Sequence, residues 1–140
     1  MPDWLTTLEH TADEGIVVSA PDRPTLYARA AEGMFRLLLD VDAVAVSSTL
    51  PVVVSADDRE MLMANWLSEL NFLHQSQGLA FSRFEIESVD DTHLSATVGG
   101  EPLDPGRHRL RTEIKAVTLH RLHVAPAAAG GWETTVLFDL

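Results

Sequence analysis

Two helical patterns, followed by a long block of strand patterns, constrain the fold of this chain more than any other feature. The first helical pattern begins after an N-cap at Asp22 and continues to Asp40. Its apolar residues recur at helical spacing: Leu26, Ala30, Met34, Leu37 and Leu38. The second has a capping-box pattern at Asp57 and Glu60 and ends at Gly78. Its predicted apolar stripe consists of Leu62, Trp66, Leu70 and Leu73. Because helices and strands form separate blocks, we predict an α+β fold with an antiparallel β-meander and two amphipathic helices.

Strand patterns precede each helix and then fill the second half of the chain. We predict strands over residues 15–20, 52–54, 81–89, 93–98, 113–124 and 132–140. Gly99 and Gly100 predict a turn rather than a phosphate-binding loop. If the Ala/Gly-rich segment 125–131 closes a hairpin, Asp139 lies near Thr118, and Lys115 lies just past the end of the chain.

Length and composition indicate one ordinary domain. The chain has 140 residues, so we predict a single domain over residues 1–140. No apolar run has the length of a membrane span or the flanks of a signal peptide. The absence of cysteine excludes disulfides, thiolate metal sites and thiol nucleophiles. We therefore expect a cytoplasmic protein.

The charge balance argues against autonomous binding to nucleic acid. Twenty-one acidic residues and ten Lys or Arg residues give a formal charge of −11, which would repel a phosphate backbone. Such a surface favours cations or a basic protein partner. One basic concentration stands out, and it either contacts RNA within a larger complex or balances nearby acids: Arg107, His108, Arg109, Arg111 and Lys115.

Two adjacent anionic groups end the sequence, namely the side chain of Asp139 and the main-chain carboxylate of Leu140. The preceding residues 132–138 read as an ordered strand, because they are rich in β-branched and aromatic side chains. Ordered carboxylates suit Ca²⁺ or Mg²⁺, and Zn²⁺ if a histidine joins them. A solvated aspartate is the alternative interpretation. Lys115 would neutralise part of this cluster, contact a bound anion or remain solvated.

Four separated blocks occur in a characteristic order along almost the whole chain, from about Trp4 to Leu140. They are His10-Thr11-Ala12-Asp13 with a following glycine, Trp66-Leu67-Ser68-Glu69-Leu70, Glu113-Ile114-Lys115-Ala116-Val117-Thr118 with His120, and Val136-Leu137-Phe138-Asp139-Leu140. Together these blocks resemble the archease family.

The resemblance implies a metal-binding, chaperone-like activator of the tRNA-splicing RNA ligase. That ligase joins RNA ends with GTP and a divalent metal, and its activator promotes guanylylation and multiple turnover in tRNA splicing and RNA repair. The activator is an accessory protein, not an enzyme. The family's metal site, usually of calcium type, maps onto Asp13, Asp139 and Leu140, and Lys115 matches a lysine that would contact the partner.

Some features leave alternatives open. Glu14 replaces a typical aliphatic residue and would add an oxygen donor beside the site, changing the metal preference. His10 either orients Asp13, acts as a further ligand, or is structural. A small hydrolase would use Asp13, Asp139 and a metal to activate water. A general chaperone would hold unfolded chains on exposed apolar surface.

Overall fold

The computed structural model describes residues 1–9 and 13–140. In chain order these residues form β1 (Leu5–Glu9), β2 (Asp13–Ala20), α1 (Arg23–Leu38), a 3₁₀ turn (Val41–Ala43), β3 (Ser48–Ser55), α2 (Arg59–Gln77), β4 (Leu79–Val89), β5 (His93–Pro102), α3 (Pro105–His108), β6 (Ala116–Val117), β7 (His123–Pro126) and β8 (Trp132–Asp139). The predicted α+β class is confirmed. Strand β1 and the short α3 were not predicted.

The strands divide between two antiparallel sheets. The first sheet has the order β1-β2-β8-β6, and β7 also pairs with β8. The second sheet has the order β3-β5-β4. Helix α1 packs against β2 and β8 of the first sheet and β4 of the second, so it joins both sheets in one hydrophobic core.

Helix α1 begins as predicted. The Asp22 side chain accepts a hydrogen bond from the backbone N–H of Thr25 at 2.8 Å, and this bond lowers the pKa of Asp22. The predicted apolar stripe lies in the core except for Leu37, which is only partly buried. The helix ends at Leu38 rather than at Asp40, because the backbone of Leu39 is already extended.

Helix α2 is capped by Asp58, so the predicted capping box at Asp57 and Glu60 is wrong. Asp58 accepts from the Met61 N–H at 2.8 Å, whereas the Glu60 carboxylate accepts from the Val124 N–H at 3.0 Å. The predicted helix end is confirmed by a left-handed Gly78. The stripe that packs into the core is buried as predicted: Leu62, Trp66, Leu70 and Leu73.

The Gly99-Gly100 pair lies inside β5, so the predicted turn is wrong. Both glycines pair with β3, and a Cβ on Gly100 would lie 1.8 Å from the carbonyl oxygen of Ala80. Gly100 is therefore required for close packing between β4 and β5, not for a change of chain direction.

The predicted strand over residues 113–124 is interrupted. The chain leaves the sheet after β6, passes through Arg121 at a φ of 58°, and rejoins the sheet at β7. This excursion changes the predicted pairing, and Asp139 lies opposite Ala116 rather than Thr118. It also places His120 in a turn, whereas His123 begins β7.

Within the described parts of the chain, none of the helices combines the length and the apolar character that crossing a membrane requires.

Candidate cation site at the end of strand β8

Two aspartates from different strands lie opposite each other at one end of the first sheet. Asp13 begins β2 and pairs directly with Asp139 in β8. Directly opposed residues in an antiparallel pair share a face of the sheet, with Cβ atoms about 4.5–5.5 Å apart. Val136 and Phe138 belong to the core, so alternation places Asp13 and Asp139 on the other face. Asp13 is partly buried and Asp139 is exposed.

Strand β6 flanks Asp139 on its other side. The Lys115 N–H donates to the carbonyl oxygen of Asp139 at 2.8 Å, and Ala116 pairs with Asp139. This register brings exposed Lys115 beside Leu140, whereas the sequence had placed Lys115 past the end of the chain. The predicted site residues Asp13, Asp139, Leu140 and Lys115 therefore lie at one end of the sheet.

Helix α2 fixes the segment that carries Lys115. Ile114 is a fully buried residue. Its carbonyl oxygen accepts hydrogen bonds from the side-chain amides of both Asn71 and Gln75. These bonds hold residue 114 against the helix, and the Lys115 N–H holds the next residue against β8. The position of Lys115 is thus set by α2 on one side and by β8 on the other.

Gly15 lets β2 and β8 approach closely beside the two aspartates. A Cβ on Gly15 would lie 2.5 Å from Leu137 Cδ2 and 2.8 Å from the carbonyl oxygen of Val136. Because real Cβ atoms do not come so close, any larger residue at position 15 would push the strands apart. The glycine that follows the aspartate in the first sequence block therefore has a packing role.

The electrostatics of this end of the sheet favour a cation. Within residues 1–9 and 13–140, no ion pair or side-chain hydrogen bond joins Asp13 or Asp139 to another side chain. Directly opposed like charges repel each other across an antiparallel pair. A bound cation would remove this repulsion, and carboxylate oxygens are the donors that Ca²⁺ and Mg²⁺ prefer.

The donor set fits a hard cation better than Zn²⁺. Among the described residues, no three side chains of His, Cys, Asp or Glu are grouped so that they could hold a metal. Two aspartate side chains alone are fewer donors than a hard cation takes, so a complete shell would need further donors. His10, Thr11 and Ala12 lie outside the described residues, so the predicted role of His10 does too.

Glu14 does not share the face of Asp13. Side chains alternate along β2, and Ile16 and Val18 of the Glu14 face are fully buried in the core. Glu14 instead lines a depression of about 310 Å³ together with Arg36 and Arg111. The expectation that Glu14 adds an oxygen beside Asp13 is therefore wrong, because it neglected the two-residue period of the strand.

Part of the basic segment is used inside the fold. Arg107 donates two hydrogen bonds to Glu101, at 2.8 and 2.6 Å, and the Ala45 N–H donates a third at 2.6 Å. His108 is fully buried, with its Nε2 atom 2.9 Å from Glu101. The Asp104 N–H donates to Nδ1 of His108 at 2.8 Å, so the proton of a neutral ring sits on Nε2.

These contacts hold the pKa of Glu101 well below its usual range, chiefly through Arg107, then through the Ala45 N–H and His108. For Arg107 and His108, the alternative of local charge balance therefore holds. Arg111 donates to the carbonyl oxygen of Arg36 at 3.0 Å. Glu101 was not predicted from the sequence, although an acidic residue six positions before an Arg-His pair was an available signal.

The helical block of the sequence divides between core and surface. Trp66 is fully buried, and its indole N–H donates to the carbonyl oxygen of Tyr27 at 2.9 Å. Glu69 lines an open groove next to Phe72, whose side chain is exposed. Trp66 is therefore structural, and Glu69 belongs to the outer surface of α2.

The family model described as "Archease protein family (MTH1598/TM1083)" matches residues 6–140 of the chain. The chain is 35% identical to protein archease of Methanopyrus kandleri over 136 residues, which cover 95% of this chain and 96% of the relative. It is 32% identical to protein archease of Methanosarcina mazei over 137 residues, which cover 95% and 93% of the two chains.

Solved structures show the same fold. The solution structure of Methanobacterium thermoautotrophicum protein 1598 superposes with a TM-score of 0.83 at 31% identity, covering 98% of this chain and 99% of that one. The crystal structure of an archease from Thermotoga maritima, described as a possible chaperone, gives a TM-score of 0.57 at 22% identity. It covers 95% of this chain and 94% of that one.

Proposed function

Since this chain belongs to the archease family, we propose that it is a metal-binding, chaperone-like activator of the tRNA-splicing RNA ligase in the cytoplasm. The observation that carries the proposal is the register that sets Asp13 opposite Asp139, one residue before Leu140. In this proposal the chain promotes guanylylation and repeated turnover of the ligase in tRNA splicing and RNA repair. The ligase performs the chemistry, and this protein is its accessory.

Asp13, Asp139 and the main-chain carboxylate of Leu140 would hold the cation. Three donor groups do not complete the six to eight oxygen ligands that Ca²⁺ takes, so water or groups of the partner would supply the rest. Ca²⁺ is our first choice, because all three donors are carboxylates. Mg²⁺ would demand a stricter octahedron, and Zn²⁺ would call for a nitrogen ligand.

The remaining surface suits a basic protein partner. The formal charge of −11 speeds the encounter with a positively charged surface, such as one that binds RNA. Exposed Lys115 lies beside Leu140 on β6, where its ammonium group would contact the ligase or its nucleotide. The two aspartates would then meet the ligase together with Lys115.

The experiment is RNA ligation by the purified cognate ligase at substrate excess, with GTP, a divalent metal and catalytic amounts of this protein. The wild type should restore multiple turnover. Asp139→Asn should lose about 10-fold or more of the stimulation, which is the range for damage to a metal site. Lys115→Ala should lose a smaller part.

Glu133→Gln is the matched control. Glu133 lies on the same strand and face as Asp139, and the substitution removes the same charge, but Glu133 pairs with Ser19 near the other end of β8. It should stimulate like the wild type. Equal stimulation by Asp139→Asn would remove the site from the proposal, and equal stimulation by Lys115→Ala would remove the role of Lys115.

No stimulation by the wild type would reject the ligase partner. Metal-dependent hydrolysis of phosphoesters that Asp139→Ala abolishes would then support the hydrolase. Suppression of aggregation of unrelated proteins at stoichiometric amounts would support the general chaperone.

A further inference from the structure

Phe72 stands on the outer surface of α2 between two grooves. Its side chain is 61% exposed. One groove, of about 400 Å³, runs between α2 and β3 and is lined by Ser55, Asn65 and Glu69 among others. The other, of about 240 Å³, runs between α2 and β6 and includes Lys115. We call Phe72 and these two grooves the Phe72 face.

The Phe72 face continues into the candidate cation site. Lys115 and Ala116 line its second groove, and Ala116 pairs with Asp139. The bonds from Asn71 and Gln75 to the carbonyl oxygen of Ile114 hold α2 and this segment together. A partner that reaches Asp139 from this side would therefore also meet Phe72, on a surface whose parts are fixed relative to one another.

Charge selects the kind of partner. Glu69 lies in the first groove, the two aspartates lie beyond the second, and the chain as a whole carries a formal charge of −11. Among the described residues that line the two grooves, Lys115 carries the positively charged side chain. A second copy of this chain would bring the same acidic groups against each other, whereas a basic surface would complement them.

We propose that the Phe72 face is the surface on which the RNA ligase docks, with Phe72 inserted in an apolar pocket that basic residues of the ligase surround. This inference rests on the proposed function and adds the contact that provides affinity. Aromatic side chains that enter a desolvated pocket dominate the energetics of many interfaces, and charged surroundings mainly set the rate and specificity of association.

The test is the affinity of the purified ligase for Phe72→Ala, measured by calorimetry at low and high salt. We expect the dissociation constant to rise about 10-fold or more. A 10-fold rise corresponds to a loss of about 1.4 kcal/mol in binding free energy. Wild-type binding should weaken as salt rises. At saturating concentration Phe72→Ala should still stimulate ligation, because the cation site is unchanged.

Val53→Ala is the matched control, since Val53 is another exposed apolar side chain, at 72%, on the outer face of β3. It should bind like the wild type. Unchanged thermal unfolding of Phe72→Ala would show that its fold is intact, as its exposed position predicts.

Wild-type affinity in Phe72→Ala, with normal activation by the wild type, would overturn the docking surface and leave the proposed function standing. A wild type that neither binds nor activates the ligase would reject both. Self-association that Phe72→Ala abolishes would assign the face to a second copy of the chain, and would also overturn the inference.

Discussion

Two carboxylate clusters in this protein have opposite surroundings. Glu101 is 8% exposed and accepts hydrogen bonds from Arg107, His108 and the backbone of Ala45. Asp13 and Asp139 face each other at the end of the first sheet, where the described residues supply no cationic side chain that pairs with either of them. The first cluster is hydrogen-bonded inside the fold, whereas among residues 1–9 and 13–140 the second has no such side-chain partner.

This difference assigns a structural role to the Glu101 cluster, while the aspartate pair is the site on which the proposed function rests. The Glu101 cluster ties α3 to β5 and to the segment that precedes β3. The aspartate pair lies where β2 meets β8, and within the described part of the chain no cationic side chain forms an ion pair with it. Opposed carboxylates repel each other across an antiparallel pair, so a bound cation of the kind proposed above would relieve that repulsion.

The largest effect should follow from Gly15→Ala, which would disturb the aspartate pair without changing its charge. The new methyl group would overlap Leu137 and the backbone oxygen of Val136, so we expect a loss of about 1–3 kcal/mol in the free energy of unfolding. Cation affinity should fall as well, because the strands would separate. Urea unfolding and a Ca²⁺ titration measure the two effects.

Gly106→Ala is the control for that comparison. A Cβ on Gly106 would meet an oxygen of Asp104 at 3.4 Å and would stay clear of the backbone. Stability and cation affinity should therefore remain close to those of the wild type. Equal behaviour of the two alanine variants would show that close approach of β2 and β8 is unimportant.

A smaller effect should come from Glu101→Gln, and it should depend on pH. The pKa of Glu101 in the folded protein lies below its ordinary value of 4.5, so the carboxylate contributes stability fully at pH values above 4.5. This contribution is lost as the pH falls from there through the folded pKa. The wild type should lose unfolding free energy steeply in acid, whereas Glu101→Gln should be less stable at pH 7 and show a flatter profile.

Urea unfolding between pH 7 and pH 3 tests this expectation. Arg107→Gln should flatten the profile too, because Arg107 is the largest cause of the lowered pKa. Parallel profiles for the wild type and both variants would contradict the structural role assigned to the cluster.

The sequence was sufficient for the elements with strong local signals. The N-cap at Asp22, the C-terminal glycine of α2 and the buried stripes of both helices depend on interactions within a few residues. The same local rules could not choose the N-cap of α2, where two adjacent aspartates were equally suitable. Asp57 and Asp58 are equivalent as N-caps, and only the position of the first helical turn selects Asp58.

The remaining features depend on contacts between distant residues. Gly100 has the local pattern of a turn, but contact with Ala80 requires glycine within a strand. Because the chain leaves the sheet between β6 and β7, Asp139 pairs with Ala116 instead of the predicted Thr118. Hydrophobic periodicity does not indicate extra residues of this kind. For the candidate site, the chain end drew attention to Asp139 and Leu140, whereas Asp13 came from the family resemblance and its position opposite Asp139 from the structure.

The most direct test of the central claim is a calorimetric titration of the protein with Ca²⁺, comparing the wild type, Asp139→Asn and Glu133→Gln. We expect one Ca²⁺ to be bound by the wild type and by Glu133→Gln, with an affinity about 10-fold to 100-fold lower in Asp139→Asn. Equal affinity in all three proteins, or no binding by the wild type, would contradict a calcium site at the end of β8.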